Sequence, residues 1–472
     1  MIAMTIEEIV GKLNDIAWGP WMLLLLVGTG VFLSCRVGFL QFRKFGYAMK
    51  NTIGKIFQKS EAGEGEITPF QAVSTALAAT VGTGNIAGVT GAICVGGPGA
   101  VFWMWISALF GMVTKYAEVV LAVKYRERNA QGDWVGGPMY YIRNGLGKSW
   151  NWLACVFCVL GALAAFGIGN MTQVNTIASS INTAIDSFGG STAAYTVQLF
   201  GQTVPISSVM TGAVVAMIVG MVLFGGIKRI GAVAERMVPV MAAIYIVASL
   251  IVVGSNLSSL GSVFAMIFKG AFSAEAALGG AFGITIMTTI QKGVGRGVFS
   301  NEAGLGSAPM AHAASSERDP VKQGLYGIFE VFMDTIVICT LTALTLLCGA
   351  GDKIVWGQSA GAELISASFS SIFGAQLGSM LVAVGISLFA LSTILSWSLY
   401  GSRCCEFLLG SKMARVYQVL FVCVILVGAT LKLDMVWNIA DTLNGFMAVP
   451  NLVALLGLSP VVVKLTREHF AK

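Results

Sequence analysis

Charged side chains are scarce in this chain, 11% of its 472 residues, against about 25% in a soluble domain. That excludes a run of soluble domains. Histidine is scarcer still: His312 and His469 are the two, and the sequence places them in a loop and in the tail. No His/Cys cluster has metal-ligand spacing. The pair Cys155-x-x-Cys158 lacks a second pair and sits in an apolar run, where small packing cysteines are the simpler reading. A phosphate loop is missing too. Gly147-Lys148-Ser149 has Ile142 where the leading glycine belongs, and Gly82-x-Gly84-x-x-x-Gly88 misses the dinucleotide spacing by one residue. No nucleophile–base pair stands out, so an ATP-driven pump or a membrane enzyme is a poor reading and no cofactor is expected. The first fifteen residues carry Glu7, Glu8 and Asp15, which suits neither a signal nor a transit peptide.

What is abundant is apolar surface and glycine: 56% of residues are hydrophobic and 58 are glycine. About 20 apolar residues span a bilayer. That rule predicts an all-α membrane protein with eleven transmembrane helices, over 18–38, 69–95, 98–125, 150–182, 204–226, 231–255, 272–293, 322–350, 375–406, 412–431 and 434–464. Lysine and arginine support the count. Twenty-four of the 29 fall on one set of loops, Lys292, Arg296, Arg318 and Lys322 among them; four (Lys12, Lys269, Lys353, Lys432) fall on the other and Lys115 within a span. The positive-inside rule then puts the N-terminus outside and the C-terminus in the cytoplasm.

The second span is interrupted by Val81-Gly-Thr-Gly-Asn-Ile-Ala-Gly88. Glycine costs a helix about 1 kcal/mol relative to alanine. Unwound backbone at membrane depth is tolerated only where protein or a wet cavity satisfies it, so such a break points to a binding site. A second glycine cluster, Leu278–Gly283, interrupts the seventh span. Two breaks five helices apart describe an inverted repeat. The expected organisation is an N-terminal helix and loop (1–68), a first five-helix repeat (69–257) and a second, inverted one (258–472). Close-packing glycines of the GxxxG kind are the bland alternative, with Gly84 and Gly88 an instance.

Phe70–Gly91 (FQAVSTALAATVGTGNIAGVTG), Gly97–Tyr125 with its PGAVFWMW and TKYAE segments, Gly136–Tyr141 (GGPMYY), Gly167–Asn175 (GIGNMTQVN), Gly297–Pro309 (GVFSNEAGLGSAP), Ser392–Ser398 (STILSWS) and Trp437–Asn451 (WNIADTLNGFMAVPN) together resemble the alanine or glycine:cation symporter family (AGCS). That family belongs to the group with the leucine-transporter (LeuT-like) fold, and the resemblance covers nearly the whole chain. It implies a 5+5 inverted-repeat LeuT-like core with two discontinuous helices, and sodium-coupled import of small neutral amino acids by alternating access. It also implies a sodium site between the first and eighth core helices, here spans two and nine.

A zwitterionic substrate needs N–H donors for its carboxylate and carbonyls for its ammonium. Thr83, Gly84 and Asn85 open the outer half of span two and offer the former; backbone around Gly279–Phe282 offers the latter. Gln173 bridges a substrate carboxylate and the break, or simply joins two helices; the resemblance favours the first. Phe282 and Trp397 are expected as walls, with Trp397 one turn beyond Thr393 and on the same side. Candidate sodium ligands are the Ala78 and Val81 carbonyls and the Ser392 and Thr393 hydroxyls, which otherwise back-bond to their own helix. Thr80, with Asn85, lies nearer a second ion position.

Intramembrane carboxylates are functional suspects by default. Asp334 is the deepest and keeps a proton-coupled symporter in view. Lys115 and Glu118 read as an ion pair, and Asp441 with Asn444 as a cap or gate of span eleven. The segment Ser300–Gly306 reads as a cytoplasmic loop, gating with Arg296 or starting a helix. A channel or an amino-acid sensor is the remaining rival. The partners expected are a small neutral amino acid, sodium and the bilayer of a prokaryotic plasma (inner) membrane; no nucleic acid is expected, and the oligomeric state is not legible.

Overall fold

The computed structural model describes residues 6–55, 62–199, 201–273, 284–431 and 434–471. An amphipathic helix, Ile6–Ala17, leads into α1 (Pro20–Arg36). The long helices that follow are α2 (Pro69–Thr80), α3 (Val89–Gly96), α4 (Ala100–Lys124), α5 (Asn151–Phe166), α6 (Thr172–Ser187), α7 (Ile206–Leu223) and α8 (Gly226–Ser255). After them come α9 (Leu257–Phe272), α10 (Ile286–Asn301), α11 (Pro320–Val331), α12 (Thr340–Gly349), α13 (Ala375–Leu409), α14 (Ser411–Gly428) and α15 (Asp434–Gly457). Two short antiparallel hairpins, Glu127–Arg128 with Trp134–Val135 and Thr196–Leu199 with Gln202–Pro205, lie between helices.

Among the described residues nine helices are long and apolar enough to cross a membrane, ten if the bent pair Pro69–Thr80 and Gly84–Gly96 is one span. The expectation of eleven is therefore met only in part. The difference is the seventh span, 272–293: the Leu278–Gly283 cluster lies outside the described residues, and the helices on either side are α9 and α10.

Local chemistry sets the ends of α2. Thr68 and Gln71 form a reciprocal capping box, each side chain bonded to the other's backbone at 3.1 Å, with Pro69 in the first turn. The helix stops at Val81, and the chain turns by 48° before continuing as a π-helical turn, Gly84–Gly88, and α3. α10 runs antiparallel to this second half: Lys292 lies against Gly96, Arg296 against Gly88 and Phe299 against Gly84. α10 ends at Asn301, and Glu302 closes it in the left-handed region (φ 55°). The chain then stays non-helical to Ala308, with Gly304 (φ 94°) and Gly306 (φ 81°) left-handed as well, before the short helix Pro309–His312. Thus the interruption facing the Val81 break is Glu302–Ala308. It is neither a solvent loop nor a helix start, because Glu302 is 3% exposed and stands just past a C-terminus.

This antiparallel pairing also corrects the charge tally. Lys292 and Arg296 sit at the Gly96 end, opposite Arg318 and Lys322, which moves two of the twenty-four to the smaller set; the asymmetry persists. At the other end Ile67 and Ser315 form a parallel bridge: Ile67 donates to Ala314 (3.0 Å), and Ser316 donates to Ile67 (2.8 Å). Glu66 beside it accepts from Arg128 (2.9 Å), Arg318 (2.6 Å) and the Trp134 indole (2.8 Å).

Candidate substrate and ion site

A cavity of about 490 Å³ opens at the Gly96 end and runs down to the Val81 break, within the 300–1,000 Å³ usual for small-molecule sites. Lys292 and Glu363 flank its mouth, Arg296 and Asp441 line it, and Thr83, Gly84 and Phe299 form its floor. The Thr83 hydroxyl is buried there without a hydrogen-bond partner among the described residues. Buried polar atoms are normally hydrogen-bonded, so this one is an acceptor or donor held ready for a polar guest. Arg296 stacks on the Phe299 ring at 4.7 Å.

The break is ordered by side chains from three directions. Asn85 turns back to accept from the Gly82 amide (2.8 Å), and its amide donates to Asp334 Oδ1 (2.6 Å). Its side chain is therefore engaged behind the floor. Asp334 also accepts from Thr335 (2.7 Å) and Ser300 (3.2 Å), and is completely buried in a π-helical stretch, Phe332–Cys339. Gln173 accepts from the Thr83 amide at 3.4 Å and donates to the Ile168 carbonyl at 2.9 Å. That carbonyl belongs to another π-helical turn, Gly167–Met171. Wide turns leave carbonyls without their usual helical donor, and they recur at functional sites.

On the closed side of the break, α13 meets α2. The hydroxyls of Ser392 and Thr393 both lie 3.1 Å from the Ala78 carbonyl. They also back-bond to Phe389, at 2.7 and 3.0 Å. The structure thus brings Ala78, Ser392 and Thr393 together, with Val81 at the helix end nearby, all buried. Carbonyl and hydroxyl oxygens are the donors a hard monovalent cation takes. Thr80 bonds back to Ala76 and Leu77, both at 3.3 Å. Trp397 is buried and donates its indole to Glu302 Oε1 (2.9 Å), with its Cβ packed against Gly169; it is not part of the cavity lining. Gly279 and Phe282 lie outside the described residues. Phe299, Arg296 and Asp441 line the cavity instead. Phe299 stands inside the family-like stretch Gly297–Pro309, which was the available signal.

Two further expectations change. Lys115 does not pair with Glu118. It meets Glu330 at 3.1 Å, because α11 packs along α4 and brings a carboxylate to the fully buried ammonium. Glu118 instead accepts from the Gly304 and Gly306 amides (3.0 and 3.1 Å) and from Asn451. His312 is not in a loop either: it is fully buried and bonds Glu330 (3.2 Å) and Gln323 (2.8 Å). Asp441 is held by Asn14, whose amide donates to it at 3.3 Å, and by the Trp18 indole, which donates to its carbonyl at 3.0 Å.

Comparison with known proteins agrees with this architecture. Residues 3–472 match the sodium:alanine symporter family. The sodium/alanine symporter AgcS of Methanococcus maripaludis is 46% identical over 98% of this chain and 97% of its own length. The probable sodium/glutamine symporter GlnT of Bacillus subtilis is 37% identical over 98% and 91%. A crystal structure of MhsT in complex with L-phenylalanine superposes with a TM-score of 0.59 at 11% identity, covering 86% of this chain and 99% of that one; this shows a shared LeuT-like fold. The chain therefore belongs to the sodium:alanine symporter family, whose members are multi-pass membrane transporters performing amino-acid:cation symport and not enzymes.

Proposed function

We propose that this protein imports a small neutral amino acid, alanine or glycine, together with sodium by alternating access. The observation that carries the reading is the unpartnered Thr83 hydroxyl at the floor of the cavity, one short helix break away from the Ala78–Ser392–Thr393 oxygens. The amino acid sits at Thr83 and Gly84, over Phe299, with Gln173 steadying the break. Sodium sits where α13 meets α2, between Ala78, Val81, Ser392 and Thr393. Binding at one fastens the backbone that shapes the other, which is how two ligands come to share a coupling free energy. The cavity mouth faces the outside, consistent with the lysine and arginine bias toward the opposite end, and the membrane is the plasma membrane of a prokaryote. The repeat units, 69–257 and 258–472, then rock about the two breaks to open the closed end. The names of the relatives are consistent with this: one is called a sodium/alanine symporter, another a probable sodium/glutamine symporter.

The test is uptake of labelled alanine into proteoliposomes under an inward sodium gradient, against an equal potassium gradient at constant pH. Accumulation with sodium alone is the expected result. A second reading, proton coupling, is favoured by one contact: Asn85, next to the cavity floor, donates to buried Asp334. Equal accumulation with both salts, abolished by Asp334→Asn, would replace sodium with the proton.

A further inference from the structure

Outside the cavity lining, and joined to the candidate wall Trp397 by its bond to Glu302, three carboxylates and one ammonium are buried together. Glu118 and Lys115 come from α4, Glu330 from α11 and Glu302 from the α10 interruption, each at most 3% exposed. Buried charge is tolerated only when paired or hydrogen-bonded, and the cluster holds two carboxylates more than its one ammonium can balance.

The hydrogen bonds show where the discrepancy is resolved. Ser315 donates to Gln323 Oε1 (2.9 Å), so the Gln323 amide nitrogen faces His312 Nδ1. That nitrogen must then accept, and His312 is the neutral tautomer that donates from Nε2 to Glu330. Lys115 balances Glu330. On Glu118, three N–H groups converge on Oε1, from Gly304, Gly306 and Asn451, which is the setting of an ionised carboxylate. Its Oε2 has no partner among the described residues, so a proton there would find no acceptor among them. Glu302 differs: Oε1 accepts from the Trp397 indole, and Oε2 faces the Ser307 hydroxyl, which can accept as well as donate. Of the three, Glu302 alone has a hydroxyl, that of Ser307, placed to accept from the added proton.

We propose that Glu302 is a proton-binding site of this transporter: it holds a proton while the closed end is shut and exchanges it with cytoplasmic water when that end opens. The O–H bond breaks, the proton passes to water, and the electron pair stays on the carboxylate. On closing, a proton returns from the same side, so none is moved across the membrane. The groups facing Glu302 are Lys115 on α4, Glu330 on α11 and Tyr400 with Trp397 on α13; Glu118 stands on the other side of Lys115, and His312 behind Glu330. Ionised Glu302 would add repulsion from Glu330, which favours parting of the interruption from α11. Cytoplasmic acidity therefore holds the closed end shut. The inference rests on the alternating-access reading above, but its first test needs no transport.

That test is the infrared absorption of the full-length protein in lipid with sodium at neutral pH. A protonated-carboxyl band is expected, lost in Glu302→Gln and retained in Asp334→Asn. In Ser307→Ala the band should shift, since the carboxyl loses its acceptor while remaining in place; this variant decides the matter if Glu302→Gln does not fold. In the second test, alanine exchange across proteoliposomes should fall by up to about tenfold per unit of internal acidification, following the deprotonated fraction of Glu302, and be flat in Glu302→Gln. Absence of the band, its loss in Asp334→Asn only, or an unchanged band in Ser307→Ala would overturn the proposal, whichever cation drives uptake.

Discussion

Gly82 allows α2 and α13 to touch. A Cβ added there would stand 2.5 Å from Thr393 Oγ1 and 3.5 Å from Gln173 Oε1, where ordinary contact begins at 3.4 Å. The clash amounts to about an ångström against a hydroxyl that cannot swing away without dropping its bonds to Ala78 and Phe389. Gly82→Ala must therefore push α13 off the break or twist Thr393 out of place. Overpacking of this kind costs about 1–3 kcal/mol. If the oxygens of Ala78, Ser392 and Thr393 hold sodium, that strain is borne by the ion-bound state, and the sodium half-saturation of alanine uptake should rise roughly 5- to 150-fold. Gly385→Ala is the matched control on the same helix, since its Cβ meets only Tyr245 at 3.8 Å; sodium dependence should be unchanged there. The assay is initial uptake in proteoliposomes over a range of sodium, with the melting temperature of each variant in detergent. A Gly82→Ala protein that melts normally and keeps wild-type sodium dependence would refute the placement of the ion.

Four other outcomes are expected. Ser392→Ala and Thr393→Ala each remove one oxygen from a cation, a loss of about 1.5–3 kcal/mol, so each should raise sodium half-saturation by roughly one to two orders of magnitude in the same assay. Phe299→Ala opens the floor beside Gly84 and should shift preference from alanine toward glutamine in competition uptake. Lys115→Met leaves Glu330 buried and unpaired, at about 3–5 kcal/mol, seen as a large fall in melting temperature that Lys115→Met with Glu330→Gln should largely restore. Burial works to raise the Glu66 carboxyl, but the Trp134 indole and Arg318 outweigh it and hold the group below its ordinary value. Its contribution is then present above that ordinary value and lost as pH falls through the lowered one. Amide exchange in 62–68 and 313–319 should rise in acid for the wild type, whereas Glu66→Gln should be loosened at every pH.

The sequence made the Val81 break legible and hid the Glu302 interruption, for reasons visible in the residues. Gly82-Thr-Gly84 stands out because two glycines interrupt an apolar run and Asn85 can cap the turn, as it does by accepting from Gly82. The Glu302 interruption is made by a non-glycine residue in the left-handed region after Ser300-Asn301, and Asn-Glu before small residues reads as a helix beginning. Glycine density points to Leu278–Gly283, which lies outside the described residues. What identifies Glu302–Ala308 is antiparallel packing of α10 on α3, a property of the fold and not of the local string. Hydroxyls meeting across α2 and α13 could be anticipated from the family resemblance, and Ala78, Ser392 and Thr393 do meet. The partners of Lys115 and His312 could not, because Glu330 is distant in the chain and short-range spacing offered Glu118 first.

The bridge between Ile67 and Ser315 has a kinetic side. It splices the segment entering α2 to the segment leaving the other interruption, so the two cannot separate without unzipping it. Two main-chain hydrogen bonds contribute about 1–3 kcal/mol together, an amount that thermal motion overcomes many times in each second. On the alternating-access reading proposed above, a fastener of that strength would keep the far end of the path closed most of the time yet add little to the slowest step of the cycle. It can be undone and remade once for every substrate molecule carried.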